Sequence, residues 1–166
     1  MSQRPRHTAS YIDRESTQTL RVGLEEYYVL NPHITPPETQ PPEFAKILSA
    51  HDVGHVIYGC DTGMYDELKL LPLFWWTSEC TFARYLEMRN TPAVDVMYDD
   101  MIKEKGVLWL YGAVLRVLPP LIPELISIWA KTRRREKRVP FLDFHPLLDR
   151  SLLDIRREFD LLRLIK

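Results

Sequence analysis

An all-α, single-domain fold is what this chain predicts, on three observations. Apolar residues recur at helical spacing over most of its length, strand-like character is confined to short runs such as "RVPFLDF" at 138–144, and prolines punctuate the pattern. At 166 residues one core suffices, since a chain of this size buries roughly 70% of its unfolded surface without staples. Cys60 and Cys80 are the only cysteines and form no CxxC pair, so no disulfide framework or cysteine-based zinc ribbon is expected and a reducing, cytosolic setting fits. With 22 basic against 23 acidic residues, the formal charge of -1 argues against nucleic acid as a partner, because phosphate-binding domains carry a marked basic excess.

Residues 1–18 read as a polar N-terminal arm without the apolar core of a signal peptide, and 19–166 as the helical domain. The first helix runs from a Thr19 cap to about Leu30, with Leu20, Leu24, Tyr27 and Tyr28 on one face. Pro32, Pro36, Pro37, Pro41 and Pro42 then make an extended connector. Pro42 suits the first position of a second helix, whose inward stripe holds Phe44, Ile47, Leu48, His51 and His55 before Gly59 ends it. A third helix is expected from Tyr65 towards Met88, bent at Pro72 and stopped by "NTP" at 90–92. Helices follow at about 94–118 and 121–137, hinged at Pro119–Pro120, and at 151–163, where Ser151 and Asp154 have capping-box spacing. The stretch 107–130 approaches membrane-spanning length, but Arg116, Glu124 and its prolines favour buried or interfacial helices over a span.

Two histidines on a core-facing stripe pose the functional question. His51 and His55 are one helical turn apart, about 40° off register and about 6 Å along the axis, so their rings can converge on one point. Satisfied core histidines would look the same until acids are counted. Asp52 projects to one side, where it is a carboxylate ligand at the rim, an acceptor orienting an imidazole, or a solvent-facing acid. Glu67 lies beyond the breaks at Gly59 and Gly63, in the first turn of the returning helix, where it faces the histidines or merely complements the helix dipole. Two imidazoles with carboxylates suit zinc, and equally iron(II) in a facial triad with open positions. Cys60 is near enough to be a ligand, but a small buried turn residue is the better reading. No nucleophile motif and no glycine-rich phosphate loop offers other chemistry.

"HDVGH" followed by eleven residues and Glu67 resembles the HDxxHx11E motif of the Coq-four family of ubiquinone (coenzyme Q) biosynthesis proteins. The likeness extends through "TLRVGLEEYYVLNP" upstream and "RRREKRVPFLDFHPLLDRSLLDIRREFDL" downstream, covering roughly residues 19–165. The resemblance implies a helical fold with a divalent metal held between two consecutive helices by His51, Asp52, His55 and Glu67, and an apolar cavity for a prenylated quinone precursor or isoprenoid lipid. It further implies oxidative decarboxylation at C1 of that precursor, association with other quinone-biosynthesis enzymes, and a bacterial, cytoplasmic protein touching the inner face of the cytoplasmic membrane, with homo-oligomers allowed. Phe144 departs from the tryptophan usual at that place.

Composition adds apolar surface in "PLFWWTSECTFARYLEM" and "VLWLYGAVLRVLPPLIPELISIW", which reads as core packing or as the lining of a tunnel, and a basic run "KTRRREKR" at 131–138 that is a solvated helix end or an anionic-headgroup contact. The rival reading is an HD-type phosphohydrolase, because "AKILSAHDVGH" also looks like that superfamily's metal step. It needs a further histidine, for which His33 is available, and a downstream acid from Asp95, Asp99 or Asp100. A third is a non-catalytic scaffold that binds prenyl lipids.

Overall fold

The computed structural model describes residues 9–34, 37–89, 99, 102–103 and 105–165. Six α-helices, with single 3-10 turns at Ser10–Ile12, Pro37–Thr39 and His145–Leu147, enclose one core among the described residues, and no strand is present there. The fold is all-α and single-domain, as the spacing of apolar residues predicts.

Helix α1, Leu20–Leu30, begins where Thr19 Oγ1 accepts the Val22 N–H at 3.3 Å. Leu20 and Arg21 N–H, which have no intrahelical partner, donate to the carbonyls of Arg150 and Leu148. Helix α2, Pro42–Tyr58, starts with proline at its first position and ends at Gly59, whose φ of 62° permits the left-handed turn in which Cys60 N–H returns to His55 O at 2.8 Å. From Ala50 to Tyr58 only His51 is more than marginally exposed, so α2 is the central helix. A Cβ on Gly23 would stand 2.6 Å from Val56 Cγ1, and one on Gly54 2.1 Å from Phe74 Cζ. Glycine at these two places lets α1 and α3 press against α2.

The third helix is shorter than expected. Helix α3, Met64–Thr77, continues through Pro72 and stops where Thr77 Oγ1 and Ser78 Oγ bond the carbonyls of Leu73 and Phe74. Backbone pairing then takes over: Val139 N–H donates to Thr77 O and Glu79 N–H to Val139 O. Helix α4, Phe82–Arg89, resumes with Thr81 Oγ1 accepting the Arg84 N–H. What "RVPFLDF" contributes is therefore one isolated bridge at Val139. The stop at 90–92 lies outside the described residues.

A hinge at Pro119–Pro120 is likewise corrected. Helix α5, Val107–Thr132, runs unbroken through Pro119, Pro120 and Pro123. Proline's φ is helical; what it removes is the bond to the carbonyl four residues back. Those carbonyls belong to Leu115, Arg116 and Pro119, all exposed, so water can satisfy them. Buried Leu121 and Ile128 seat the helix, and the Tyr65 hydroxyl donates to Glu124 at 2.5 Å, tying α5 to α3. By length and composition α5 is apolar enough to cross a membrane.

Helix α6, Leu152–Glu158, ends five residues before the expected 163, and Ser151 makes no side-chain cap. Pairing replaces the capping box: Leu152 N–H donates to Gln18 O at 2.8 Å beside the Thr19–Ser151 bridge. Arg156 of α6 is fully buried and its guanidinium donates to the carbonyls of Ile57 and Val56, at the end of α2, and of Tyr11, Asp13 and Arg14. A cation there complements the negative end of the α2 dipole. Glu26 accepts the Ser10 and Tyr11 N–H groups, and Tyr11 is 1% exposed, so from Ala9 onward the polar arm is packed into the domain.

Candidate metal centre

Helical spacing places His51 and His55 on the same side of α2, with ring centroids 4.7 Å apart. Glu67 reaches them because the loop between α2 and α3 is cross-braced. Asp66 accepts the Asp61 N–H at 3.0 Å, Asp61 accepts the Thr62 N–H, and the Thr62 hydroxyl donates to Asn31 at the end of α1. Lys69 pairs with Asp66 at 2.8 Å. Glu67 thus sits in the first turn of α3 with each oxygen facing one ring: Oε2 lies 3.3 Å from His51 Nε2 and Oε1 lies 3.3 Å from His55 Nε2.

One ligand atom from each of His51, His55 and Glu67 falls within 4.8 Å of the others, and the group can hold a metal ion. Two features fit a cation there. Donors about 2.0–2.1 Å from a tetrahedral zinc are about 3.3 Å apart, which is the spacing of each imidazole nitrogen from its carboxylate oxygen. Also, His55 Nε2 is buried without a hydrogen-bond partner despite that proximity to Glu67. Its other nitrogen, Nδ1, faces Cys60 O at 3.4 Å; donating a proton there leaves the Nε2 lone pair directed at the group. Tyr27 stacks on His55 at 5.4 Å and holds the ring plane.

Exposure is graded across the site. His55 is completely enclosed, whereas the side chains of His51 and Glu67 are 32% and 36% exposed, so the open side is theirs. Burial alone would lower the His51 pKa, but hydrogen bonding and charge from Asp52 and Glu67 outweigh it and push it up to about 9. Burial would raise Glu67, yet the two histidines hold its carboxyl well below the usual carboxylate range. The centre is anionic-ready at Glu67 whatever the physiological pH.

Asp52 does not join the three-residue group. It is 1% exposed and lies on the Nδ1 side of His51, at 3.5 Å, the position of an orienting acceptor rather than of a ligand beside Glu67. The Cys60 thiol is turned to Tyr58 O and pushed up to about 12 by burial, leaving only its carbonyl at the site. His33 is exposed on the turn after α1 and His145 stacks on Phe144 at 4.8 Å. Asp99 is exposed and outside the group, while His7, Asp95 and Asp100 lie outside the described residues. Tyr27 and Tyr28 were legible in the sequence only as an apolar stripe; their contacts to His55 and Asp52 depend on how α1 lies across α2.

A cavity of about 590 Å³ opens at the C-terminal end of α2, between Ile12, Arg14, Tyr58, Tyr65, Lys69 and Glu124. Its lining mixes charged side chains, such as Arg14, Lys69 and Glu124, with apolar ones such as Ile12 and Ile165. Large apolar side chains are exposed along α5, among them Leu108, Tyr111, Leu115, Ile122, Ile126 and Trp129. The chain matches no family model, no curated protein and no solved structure.

Proposed function

We propose that this chain is a metal-dependent protein of ubiquinone biosynthesis of the Coq-four kind, with oxidative removal of the C1 carboxylate of a prenylated quinone precursor as its activity. The observation that carries the reading is the convergence of His51 Nε2, His55 Nε2 and Glu67 on one point, with His55 Nε2 otherwise unpartnered. Two imidazoles and one carboxylate suit iron(II) or zinc and leave coordination positions open. Bound there, such a cation supplies a Lewis acid for a substrate oxygen and, as iron(II), a partner for dioxygen. The chain's own part is to hold the donors: Cys60 O and Tyr27 fix His55, and the braced 59–63 loop delivers Glu67.

The exposed apolar residues of α5 support an isoprenoid tail or a bilayer surface as partner. Lys105 lies over the Trp109 ring and Arg133 over the Trp129 ring, so a cation and an indole stand together at each end of that face. This supports peripheral contact with a membrane and, as a second reading, a scaffold that gathers quinone-biosynthesis enzymes without chemistry of its own. The phosphohydrolase reading has less support, because Asp52 is occupied by Tyr28 and His51.

The test is a defined mixture of purified protein, iron(II) or zinc, dioxygen and a prenylated hydroxybenzoate-type precursor, assayed for carbon dioxide release. Loss of the carboxylate in the wild type and not in His51→Ala or His55→Ala is expected. No release in vitro, with a stalled pathway in cells lacking the protein, selects the scaffold. Elemental analysis should show near-stoichiometric metal in the wild type and little in both variants; full stoichiometry in both removes the site.

A further inference from the structure

A buried carboxylate needs a partner on each oxygen, and Asp52 has one on each. Its Oδ1 lies 3.5 Å from His51 Nδ1, and its Oδ2 accepts the Tyr28 hydroxyl at 2.8 Å. Neighbouring side chains on a helix diverge by about 100°, so Asp52 does not face His51 by virtue of its place in α2. Something must hold it turned back. Tyr28 comes from α1, and burial together with the Asp52 charge keeps its phenol protonated, so it is the donor in this pair. Tyr27, its neighbour, stacks on His55. Consecutive residues of α1 therefore act on the two histidines separately, one on His55 through its ring and one on His51 through Asp52.

We propose that Tyr28 is a positioning residue of the metal centre: by anchoring Asp52 from behind, it sets which nitrogen His51 turns to the cation, and Asp52 orients the ring without ligating. The inference rests on the metal-centre reading above. Orienting carboxylates of this kind typically contribute 10–100-fold in metal affinity. Because Tyr28 acts only through Asp52, removing both should cost no more than removing Asp52 alone.

The experiment is cobalt(II) titration of the full chain, followed by its visible ligand-field bands, for the wild type, Tyr28→Phe, Asp52→Asn and the double variant. Expected are about 10–100-fold weaker cobalt binding in each single variant, band positions and intensities unchanged at saturation because the donor atoms are unchanged, and a double variant within about twofold of Asp52→Asn. Tyr28→Phe keeps the ring that packs edge-on to Tyr27 at 5.4 Å, and metal-free melting curves verify that each variant is folded. Wild-type affinity in Tyr28→Phe overturns the inference. So do bands in Asp52→Asn that report a lost oxygen donor, which would make Asp52 a ligand. A wild type that takes up no cobalt overturns the metal centre itself, an outcome distinct from either.

Discussion

Protons and a cation compete for the same nitrogen at His51. Without a cation, Asp52 and Glu67 raise its pKa from 6.5 to about 9 against the opposing effect of burial. A group raised on folding contributes stability that is complete below its unfolded value, here about 6.5, and is lost as pH rises through the folded value near 9. Metal uptake removes that proton. Loading at pH 7 should therefore release close to one proton from His51, read by calorimetry in two buffers of different ionisation enthalpy. The difference in Tm between loaded and metal-free protein should widen from pH 6.5 to 9. Buffer-independent heats and a constant Tm gap would contradict both the proton and its site. His51, His55 and Glu67 were legible in sequence because helical spacing and two glycine breaks decide where they lie. Asp52, which the family likeness counts among the ligands, stands outside the group, and the hydroxyl it accepts comes from Tyr28, a residue of another helix whose approach no local pattern records.

At the scale of elements, close contact between α2 and α3 fixes how far Glu67 stands from the histidines. Gly54 is the contact: any Cβ there would overlap Phe74, which is 5% exposed and packed on Phe141 at 5.0 Å. Gly54→Ala should destabilise the protein by about 1–3 kcal/mol, the usual cost of overpacking a core, offset in part by alanine's better helix propensity. It should weaken metal binding as well, because Phe74 and Glu67 ride on the same helix. A denaturant melt and a cobalt titration on one preparation check both, and a stable variant with weakened binding would separate the two effects. Helices α1 and α2 were readable to within a residue, their ends being set by Thr19, Pro42 and Gly59. The break after α3 was not, because a partner remote in sequence, Val139, causes it; nor was the early end of α6, where Asp160 takes a φ of 50° and the Leu161 N–H turns back to Arg156 O. Proline misled at α5, where the carbonyls it frees belong to exposed residues that water can reach.

For the whole molecule, the arm, α2 and α6 meet at Arg156. Five carbonyls from the arm and from α2 converge on one enclosed guanidinium, whose pKa burial lowers to about 10. Arg156→Met would fill much of the space while leaving those carbonyls short of donors. A loss of about 3 kcal/mol or more is expected, given about 1–3 kcal/mol for each buried group left unpaired. Hydrogen exchange should show Ser10–Ile12 and the last turn of α2 opening together; an unchanged melting curve would mean that water replaces the guanidinium. The same feature bears on synthesis. Tyr11 and Val56 must wait for a residue made about a hundred positions after α2, so the emerging polypeptide carries an unfinished centre until α6 leaves the ribosome. Chains halted before that point should be protease-sensitive at both the arm and the end of α2, however complete their histidine-bearing segment is.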